Sequence, residues 1–212
     1  MQIKLSMRIF LISCIYLFLN VNVNANKSMV NTDLNLDTIV LGAGCFWCVE
    51  AIFQQIEGVN EVIPGYCGGQ KVNPTYEEVC SGNTQHVEVA RVVFDTELVT
   101  LSYLLEVFWA THDPTTKDRQ GNDIGSQYRS AIFCINESQR ELALAYKDRI
   151  DKNAIWDNPL VTQIEILEVF YPAENYHHNY YNNNINQGYC KFVIQPKLEK
   201  FKKLFSDQNT LK

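Results

Sequence analysis

The sequence has no surplus of positive charge. Its 18 Lys and Arg residues are outnumbered by 24 Asp and Glu residues, which gives a net charge of −6 and a pI of about 5.2. A general nucleic-acid-binding protein would carry a basic stripe, so this balance argues against that class. The chain also contains no internal repeat and no domain linker, and its 212 residues fit a single domain.

The chain contains no apolar run of the length that usually spans a membrane. The N-terminal run Ile9–Leu19 is short for that purpose. Basic residues precede it, the small residues Val23-Asn24-Ala25 follow it, and no acidic residue occurs before Asp33. This layout predicts a signal peptide over residues 1–25, with an uncleaved anchor as the alternative, and hence export to the periplasm or the exterior. A polar lead-in is expected over residues 26–36.

The cysteines lack the dense spacing of a small disulfide scaffold. Seven cysteines are present, or six without the predicted signal peptide, and 46% of the residues are apolar. A chain of this size and composition builds a core without disulfides. Some of these thiols therefore need another explanation.

Apolar periodicity predicts alternating strands and helices. Strands are expected at 38–41, 59–66, 86–94, 128–135 and 161–170. Helices are expected from Cys45 to Gly58, after Pro74, through Leu101 and Phe108, after Asn136, and around Leu198, Phe201 and Leu204. A polar loop is expected over 113–127. The order β-α-β-β-α-β within this series is the split βαβ arrangement. The pattern predicts one α+β domain with helices on a mainly antiparallel sheet.

Cys45 follows a strand and a glycine turn and begins a helix. Free backbone N–H groups and the helix dipole lower the pKa of a thiol in that position. Cys45 is thus a candidate nucleophile, and the alternative is a small buried residue at a turn.

Cys45 and Cys48 form a Cys-x-x-Cys pair, which has two other interpretations. A zinc site would need a second pair of ligands at suitable spacing, whereas Cys67 and Cys80 are far apart and His177 and His178 are adjacent. A thioredoxin-type redox pair would accompany a thioredoxin-like fold rather than the split βαβ order.

Three further residues suggest a specific chemistry. Phe46 and Trp47 would form an apolar wall for a methyl or thioether group, unless both rings are simply core. Strand alternation puts Glu88 on the face of Ala90 and Val92. An acid on an apolar face has a raised pKa and can donate a proton, whereas a strand-end Glu in solvent cannot.

Five motifs together resemble the peptide methionine sulfoxide reductases of the A type. They are Gly-Cys-Phe-Trp-Cys-Val-Glu (44–50), Asn-Pro-Thr-Tyr-Glu-Glu-Val-Cys-Ser-Gly (73–82), His-Val-Glu (86–88), Arg-Gln-Gly-Asn-Asp-Ile-Gly-Ser-Gln-Tyr-Arg-Ser (119–130) and Gly-Tyr-Cys (188–190). The resemblance extends from about Thr38 to Phe205. It implies a catalytic domain over 37–212 with the family's two-layer α+β sandwich and ferredoxin-like core.

The resemblance also implies roles for the site residues. Cys45 would attack the sulfoxide sulfur, Phe46 and Trp47 would hold the methyl group, and Glu88 would protonate the oxygen. Tyr76 and Tyr128 would hydrogen-bond that oxygen, and Asp123 would help to organise the site. Cys190, in a stretch that looks flexible, would resolve the sulfenic acid, with Cys48 as the alternative resolving residue.

The implied reaction uses no bound cofactor and no metal. Its electrons would come from thioredoxin or a thioredoxin-like protein, and its substrates would be the S epimer of methionine sulfoxide, free or in oxidised proteins and peptides. A monomer is expected. The competing functions are a periplasmic thiol-disulfide exchange protein and, third, a metal-binding module.

The chain departs from the family pattern at His177-His178, where His-Gln is usual. We expect both histidines to make structural hydrogen bonds on a loop or short helix. No cysteine follows Cys190. Cys67, Cys80 and Cys134 are expected to be inert packing residues, the last two of them buried.

Overall fold

The structure, a computed structural model, describes residues 35–206 and 211–212. The predicted signal peptide and nearly all of the polar lead-in lie outside these residues. Within the described ranges, no helix has the length and apolar character needed to cross a membrane.

A six-stranded sheet organises the chain. Its strands are β1 (Leu36–Ala43), β2 (Val59–Cys67), β3 (Val87–Asp95), β6 (Ser130–Cys134), β7 (Gln163–Ile166) and β8 (Tyr171–Pro172), in the order β7-β6-β1-β3-β2-β8. All neighbours are antiparallel except β6 and β7, which are parallel. A separate two-stranded ribbon pairs β4 (Arg119–Gln120) with β5 (Asp123–Ile124). The predicted mainly antiparallel sheet in a mixed α+β domain is confirmed.

Six α-helices accompany the sheet in the described part of the chain: α1 (Phe46–Phe53), α2 (Tyr76–Cys80), α3 (Leu101–Thr111), α4 (Glu137–Lys152), α5 (Tyr180–Asn183) and α6 (Gln195–Phe205). The predicted start of α4 is confirmed, because the Asn136 side chain accepts a hydrogen bond from the Gln139 N–H at 2.9 Å. A capping box at Thr75 and Glu78 begins α2.

The core lies between one face of the sheet and the helices. Strand alternation puts Ile39, Leu41, Val92 and Phe94 on that face, where they pack with α1, α3 and α6. The opposite face carries a smaller cluster around Val40 and Phe133, with Leu167 and Phe170 packed against it. Glu88 is on the helix-covered face, as its spacing from Ala90 predicted.

Four predictions about elements were wrong. The strand expected at 161–170 is only Gln163–Ile166, because the chain then bends so that Leu167 and Phe170 cover the sheet. The polar loop 113–127 contains the β4–β5 ribbon. The first helix was expected to end at Gly58, but α1 ends at Phe53. Cys190 is fully buried at the start of a π-helical turn, Cys190–Ile194, rather than in a flexible loop.

Candidate active site

The turn between β1 and α1 presents Cys45. Gly44 has φ +88°, and a Cβ there would come within 2.7 Å of the Gln120 side chain, so only glycine fits. Cys45 is the N-cap of α1 with a non-helical backbone, at φ −54° and ψ 125°. Its side chain is 5% exposed.

The expectation of a lowered thiol pKa at Cys45 was wrong for the resting protein. Burial raises the pKa of Cys45 well above its usual range, and the neighbouring Cys48 and Glu88 add to the rise. A hydrogen bond with the Tyr189 hydroxyl offsets only part of this effect. Desolvation outweighs the helix N-terminus because the sulfur is almost completely enclosed. Cys45 is therefore a thiol before substrate arrives.

The thiol of Cys48, one helical turn further on, has a lowered pKa, in contrast to that of Cys45. A hydrogen bond from Cys45 and, to a smaller extent, the charge of Lys197 of α6 together lower the pKa of Cys48 to about 7. Burial and Asp123 oppose these effects. Cys48 is thus the more acidic thiol of the pair.

Glu88 lies beside the nucleophile candidate and is 1% exposed. Burial raises the pKa of its carboxyl to about 8, against a hydrogen bond from the Phe46 backbone N–H at 3.1 Å. Because Phe46 directly follows Cys45, this hydrogen bond holds the carboxyl next to the thiol. Glu88 carries a proton at neutral pH and can donate it.

Three tyrosines supply hydroxyl groups around this pair. Burial raises the pKa values of Tyr76, Tyr128 and Tyr189, so all three remain hydrogen-bond donors. The Tyr189 hydroxyl donates to Asp123 Oδ2 at 2.7 Å and also contacts the Cys45 sulfur. Asp123 thus organises the site by holding Tyr189.

Aromatic rings line another side of the site around Cys45. The Trp47 ring is half-buried and stacks on the Tyr180 ring, with ring centroids 3.7 Å apart. The Phe46 ring is fully buried, and its centroid lies 4.9 Å from that of the His177 ring. The Trp47 indole N–H donates to His177 Nδ1 at 3.2 Å. His177 Nε2 therefore carries the ring proton. This atom is buried, has no hydrogen-bond partner in the part of the chain that the structure describes, and lies 3.8 Å from Glu174 Oε2. The predicted hydrogen-bonding role of His177 on a short helical turn is confirmed.

Two carboxylates hold the segments that carry these rings. Glu50, 1% exposed, accepts hydrogen bonds from the backbone N–H groups of Asn179 and Tyr180 at 2.7 and 3.2 Å. Glu174 accepts from the Tyr66 hydroxyl and from the Tyr76 backbone N–H, each at 2.9 Å. These contacts fix the aromatic wall against α1 and α2.

The other cysteines differ in exposure. Cys67 and Cys134 are fully buried, and burial raises the pKa of Cys134 to about 11. Cys80 was expected to be buried but is partly exposed at the end of α2, where it hydrogen-bonds with Tyr76. Cys190 belongs to the same core cluster as Cys45 and Cys48. Within residues 35–206 and 211–212, no group of three or more His, Cys, Asp or Glu side chains could hold a metal ion.

The site thus gathers every residue that the resemblance singled out, together with several that sequence reasoning missed. The missed residues are Glu50, Glu174, Tyr180, Tyr189 and Lys197. Tyr189 had a signal, since it lies within the Gly-Tyr-Cys motif, whereas Lys197 had none. Chemically, the arrangement brings a buried thiol, a proton donor and a second, more acidic thiol against an aromatic wall.

Comparisons with known proteins all identify the same enzyme family. A family model described as "Peptide methionine sulfoxide reductase" matches residues 37–209. The chain is 53% identical over 173 residues to "Peptide methionine sulfoxide reductase MsrA" of Trichodesmium erythraeum, covering 82% of this chain and 98% of the relative. It is 50% identical over 171 residues to the protein of the same description from Chromobacterium violaceum, covering 81% and 97%.

Solved structures are similar as well. Mxr1 from Saccharomyces cerevisiae in reduced form aligns with a TM-score of 0.67 at 31% identity, covering 74% of this chain and 90% of that one. Methionine sulfoxide reductase A of Corynebacterium diphtheriae aligns with a TM-score of 0.64 at 35% identity, covering 71% and 76%.

Proposed function

The chain belongs to the peptide methionine sulfoxide reductase family and is an oxidoreductase that reduces methionine sulfoxide, and from this premise we propose how its residues carry out the reaction. The observation that carries the assignment is the buried pair of Cys45 and the protonated Glu88, joined through the Phe46 N–H. Cys45 is the nucleophile and Glu88 is the general acid.

In the first step the Cys45 sulfur attacks the sulfoxide sulfur while Glu88 protonates the oxygen. The hydroxyl groups of Tyr76 and Tyr128 hydrogen-bond that oxygen. The S–O bond of the substrate breaks and methionine leaves. The protonated oxygen passes to the Cys45 sulfur as the transient bond between the two sulfurs breaks, and the thiol proton of Cys45 returns to Glu88. Cys45 is left as a sulfenic acid, so that one sulfur is reduced as the other is oxidised.

Substrate choice follows from the asymmetry of the site. Phe46 and Trp47 contact the methyl group and the hydroxyl side of the site takes the oxygen. Exchanging these two substituents at sulfur would put the oxygen against the aromatic wall and leave buried donors unpaired. The site therefore favours one epimer over the other, and membership of the family implies that it is the S epimer, both free and in oxidised proteins and peptides.

A second thiol then resolves the sulfenic acid to a disulfide with loss of water. The disulfide that is finally reduced contains Cys190, and an external thioredoxin-like dithiol supplies the two electrons. This assignment rests on the Gly-Tyr-Cys motif and on the position of Cys190 in the same buried cluster as Cys45.

Three broader features belong to the same proposal. The strand order β6-β1-β3-β2, antiparallel throughout, supports a ferredoxin-like core. The N-terminal charge and apolar pattern supports an exported protein, periplasmic or secreted, which N-terminal sequencing of the mature chain would test. A monomer is expected, and light scattering would test it.

One assay separates this function from its competitor. With dithiothreitol as reductant, the chain should convert the S epimer of a peptide methionine sulfoxide to methionine and leave the R epimer. A thiol-disulfide exchange protein would instead reduce insulin without turning over either sulfoxide, and that result would refute the proposal.

A further inference from the structure

A buried glutamine, Gln127, lies directly before Tyr128 and takes no part in the reaction steps. It belongs to the short helical turn Ser126–Tyr128 and is 5% exposed. Its Nε2 donates a hydrogen bond to the Cys80 carbonyl at 3.4 Å. Turning the amide over would put Oε1 against that carbonyl, and two acceptors would then face each other. The Cys80 carbonyl therefore fixes the orientation of the Gln127 amide.

The other end of this amide is unpaired. Gln127 Oε1 is buried and has no hydrogen-bond partner among the residues that the structure describes. The amide also packs closely on Gly125, where an added Cβ would collide with it. An unpaired buried acceptor destabilises a fold, and an apolar side chain of the same shape would avoid this cost. Stability alone therefore does not account for a glutamine at this position.

The partner of Gln127, Cys80, is the last residue of α2, which begins at Tyr76. The last carbonyl groups of a helix have no partner within the helix, and the Gln127 amide supplies a donor to one of them. Tyr76 and Cys80 are four residues apart on one face of α2, and the Tyr76 hydroxyl contacts the Cys80 thiol. Cys80 thus contacts Tyr76 through its side chain and Gln127 through its backbone.

The turn that carries Tyr128 is fixed by its own hydrogen bonds. The Tyr128 N–H donates to the Gly125 carbonyl at 3.0 Å, and Arg129 Nη1 donates to the Ser126 carbonyl at 2.8 Å. The Gln127 side chain leaves this fixed turn and reaches the end of α2. It therefore joins the two segments that carry the tyrosines on the oxygen side of the site.

We propose that Gln127 is a positioning residue that sets the separation of the Tyr76 and Tyr128 hydroxyl groups around the sulfoxide oxygen. The inference rests on the proposed function, in which both hydroxyl groups hydrogen-bond that oxygen. Gln127 itself does not contact the substrate and acts only through α2 and the turn. Because the alignment of these donors matters most while the S–O bond breaks, losing the link slows the chemical step more than it weakens binding.

Gln127→Met tests this role, because it keeps the length of the side chain but removes both the N–H donor and the unpaired acceptor. The reduced full-length chain is mixed with a peptide carrying the S sulfoxide, and methionine release is followed over one turnover. At saturating peptide the release should slow roughly tenfold, with little change in the peptide concentration that gives half the maximal rate. The urea midpoint should be unchanged or higher, since no buried acceptor is left unpaired.

Gln139→Met is the matched control. Gln139 is also buried, but its amide is fully paired, with the Ile135 N–H, the Asp37 carboxylate and the Thr38 carbonyl. These contacts lie at the opposite end of β1 from the active site. Gln139→Met should therefore lower the urea midpoint and release methionine at the wild-type rate, which is the reverse of the pattern expected for Gln127→Met.

A second background separates positioning from a general effect on the site. In a chain that already carries Tyr76→Phe and Tyr128→Phe, adding Gln127→Met should slow release no further, because Gln127 acts through those two hydroxyl groups. A further tenfold loss in that background would overturn the proposal.

Two other results would also overturn it: wild-type release by Gln127→Met, or slowed release together with a lowered urea midpoint, which would make Gln127 a residue of the fold alone. Failure of the proposed function is distinguishable from all of these, because wild type itself would then release no methionine.

Discussion

Glu88 is an acid on an apolar strand face, and its surroundings decide whether it can donate a proton. Replacing it with Gln keeps a side chain that can hydrogen-bond the oxygen but removes the proton. We expect Glu88→Gln to slow the single-turnover release of methionine by about 10²–10⁴-fold with little change in substrate binding. The control is Glu106→Gln, an exposed acid on α3 that should behave as wild type.

The same residue gives a pH prediction. Because the pKa of Glu88 is raised to about 8, the protonated acid is lost as the pH rises through that value. The wild-type single-turnover rate should have a limb that falls above about pH 8, and Glu88→Gln should lack this limb. A limb that survives in the Gln variant would assign it to another group.

For single residues, the sequence predicted which side chains carry the chemistry better than it predicted the pKa of each group. Period-two spacing was sufficient to put Glu88 on the buried face and so to predict its raised pKa. The thiol pKa of Cys45 could not be predicted, because it depends on how completely Cys48, Tyr189 and the core enclose the sulfur. These neighbours come from segments that are distant in sequence.

At the scale of elements, the buried Glu50 ties α1 to α5 by accepting hydrogen bonds from the backbone N–H groups of Asn179 and Tyr180. Glu50→Ala leaves both donors unpaired, which should cost about 1–3 kcal/mol of unfolding free energy. It should also raise the KM for sulfoxide peptides more than it lowers kcat, since Tyr180 would lose its fixed position on Trp47. Urea unfolding and steady-state kinetics measure these two effects.

Glu50→Gln is the matched variant, because its amide oxygen can still accept one of the two hydrogen bonds. Its loss of stability and its KM should lie between those of wild type and Glu50→Ala. If Glu50→Ala leaves the KM at the wild-type value while lowering stability, Glu50 acts on the fold alone.

Element boundaries were predictable where local chemistry fixes them. Asn136 caps α4 as expected and Gly44 precedes α1, whereas α1 ends at Phe53 rather than at Gly58. Predicted boundaries were wrong where tertiary packing decides them. The chain leaves β7 at Leu167, which packs in the cluster of Phe133. Cys190 is helical and packs in the core with Ile194 and Leu198. Neither result follows from propensity alone.

For the whole molecule, a buried histidine predicts loss of stability in mild acid. His112 bonds the Phe108 carbonyl at 2.6 Å and the Ser130 hydroxyl at 2.7 Å, and burial lowers its pKa to about 4. The pKa of this histidine is about 6.5 in the unfolded chain and about 4 in the folded chain. Between these two pH values the unfolded chain binds one more proton than the folded chain. Stability from this group is therefore complete above about pH 6.5 and falls with decreasing pH, by at most about 3 kcal/mol.

Glu88 works in the opposite direction over part of this range, because its raised pKa means that the folded chain holds the extra proton. The informative quantity is therefore the difference between wild type and His112→Gln. Urea unfolding at pH 7 and pH 5 should show a larger acid-induced loss in wild type than in the variant. Equal losses would mean that His112 does not remain neutral in the fold, and an NMR titration of its imidazole would show this directly.

The central claim is that Cys45 attacks the sulfoxide and takes its oxygen, and a stoichiometric single turnover tests it most directly. The reduced chain, given excess S sulfoxide peptide and no reductant, should release about one methionine per chain. Cys45→Ser should release none, and Cys134→Ala, which lacks a thiol in the core away from the turn, should match wild type. Methionine released by Cys45→Ser at the wild-type level would contradict the account.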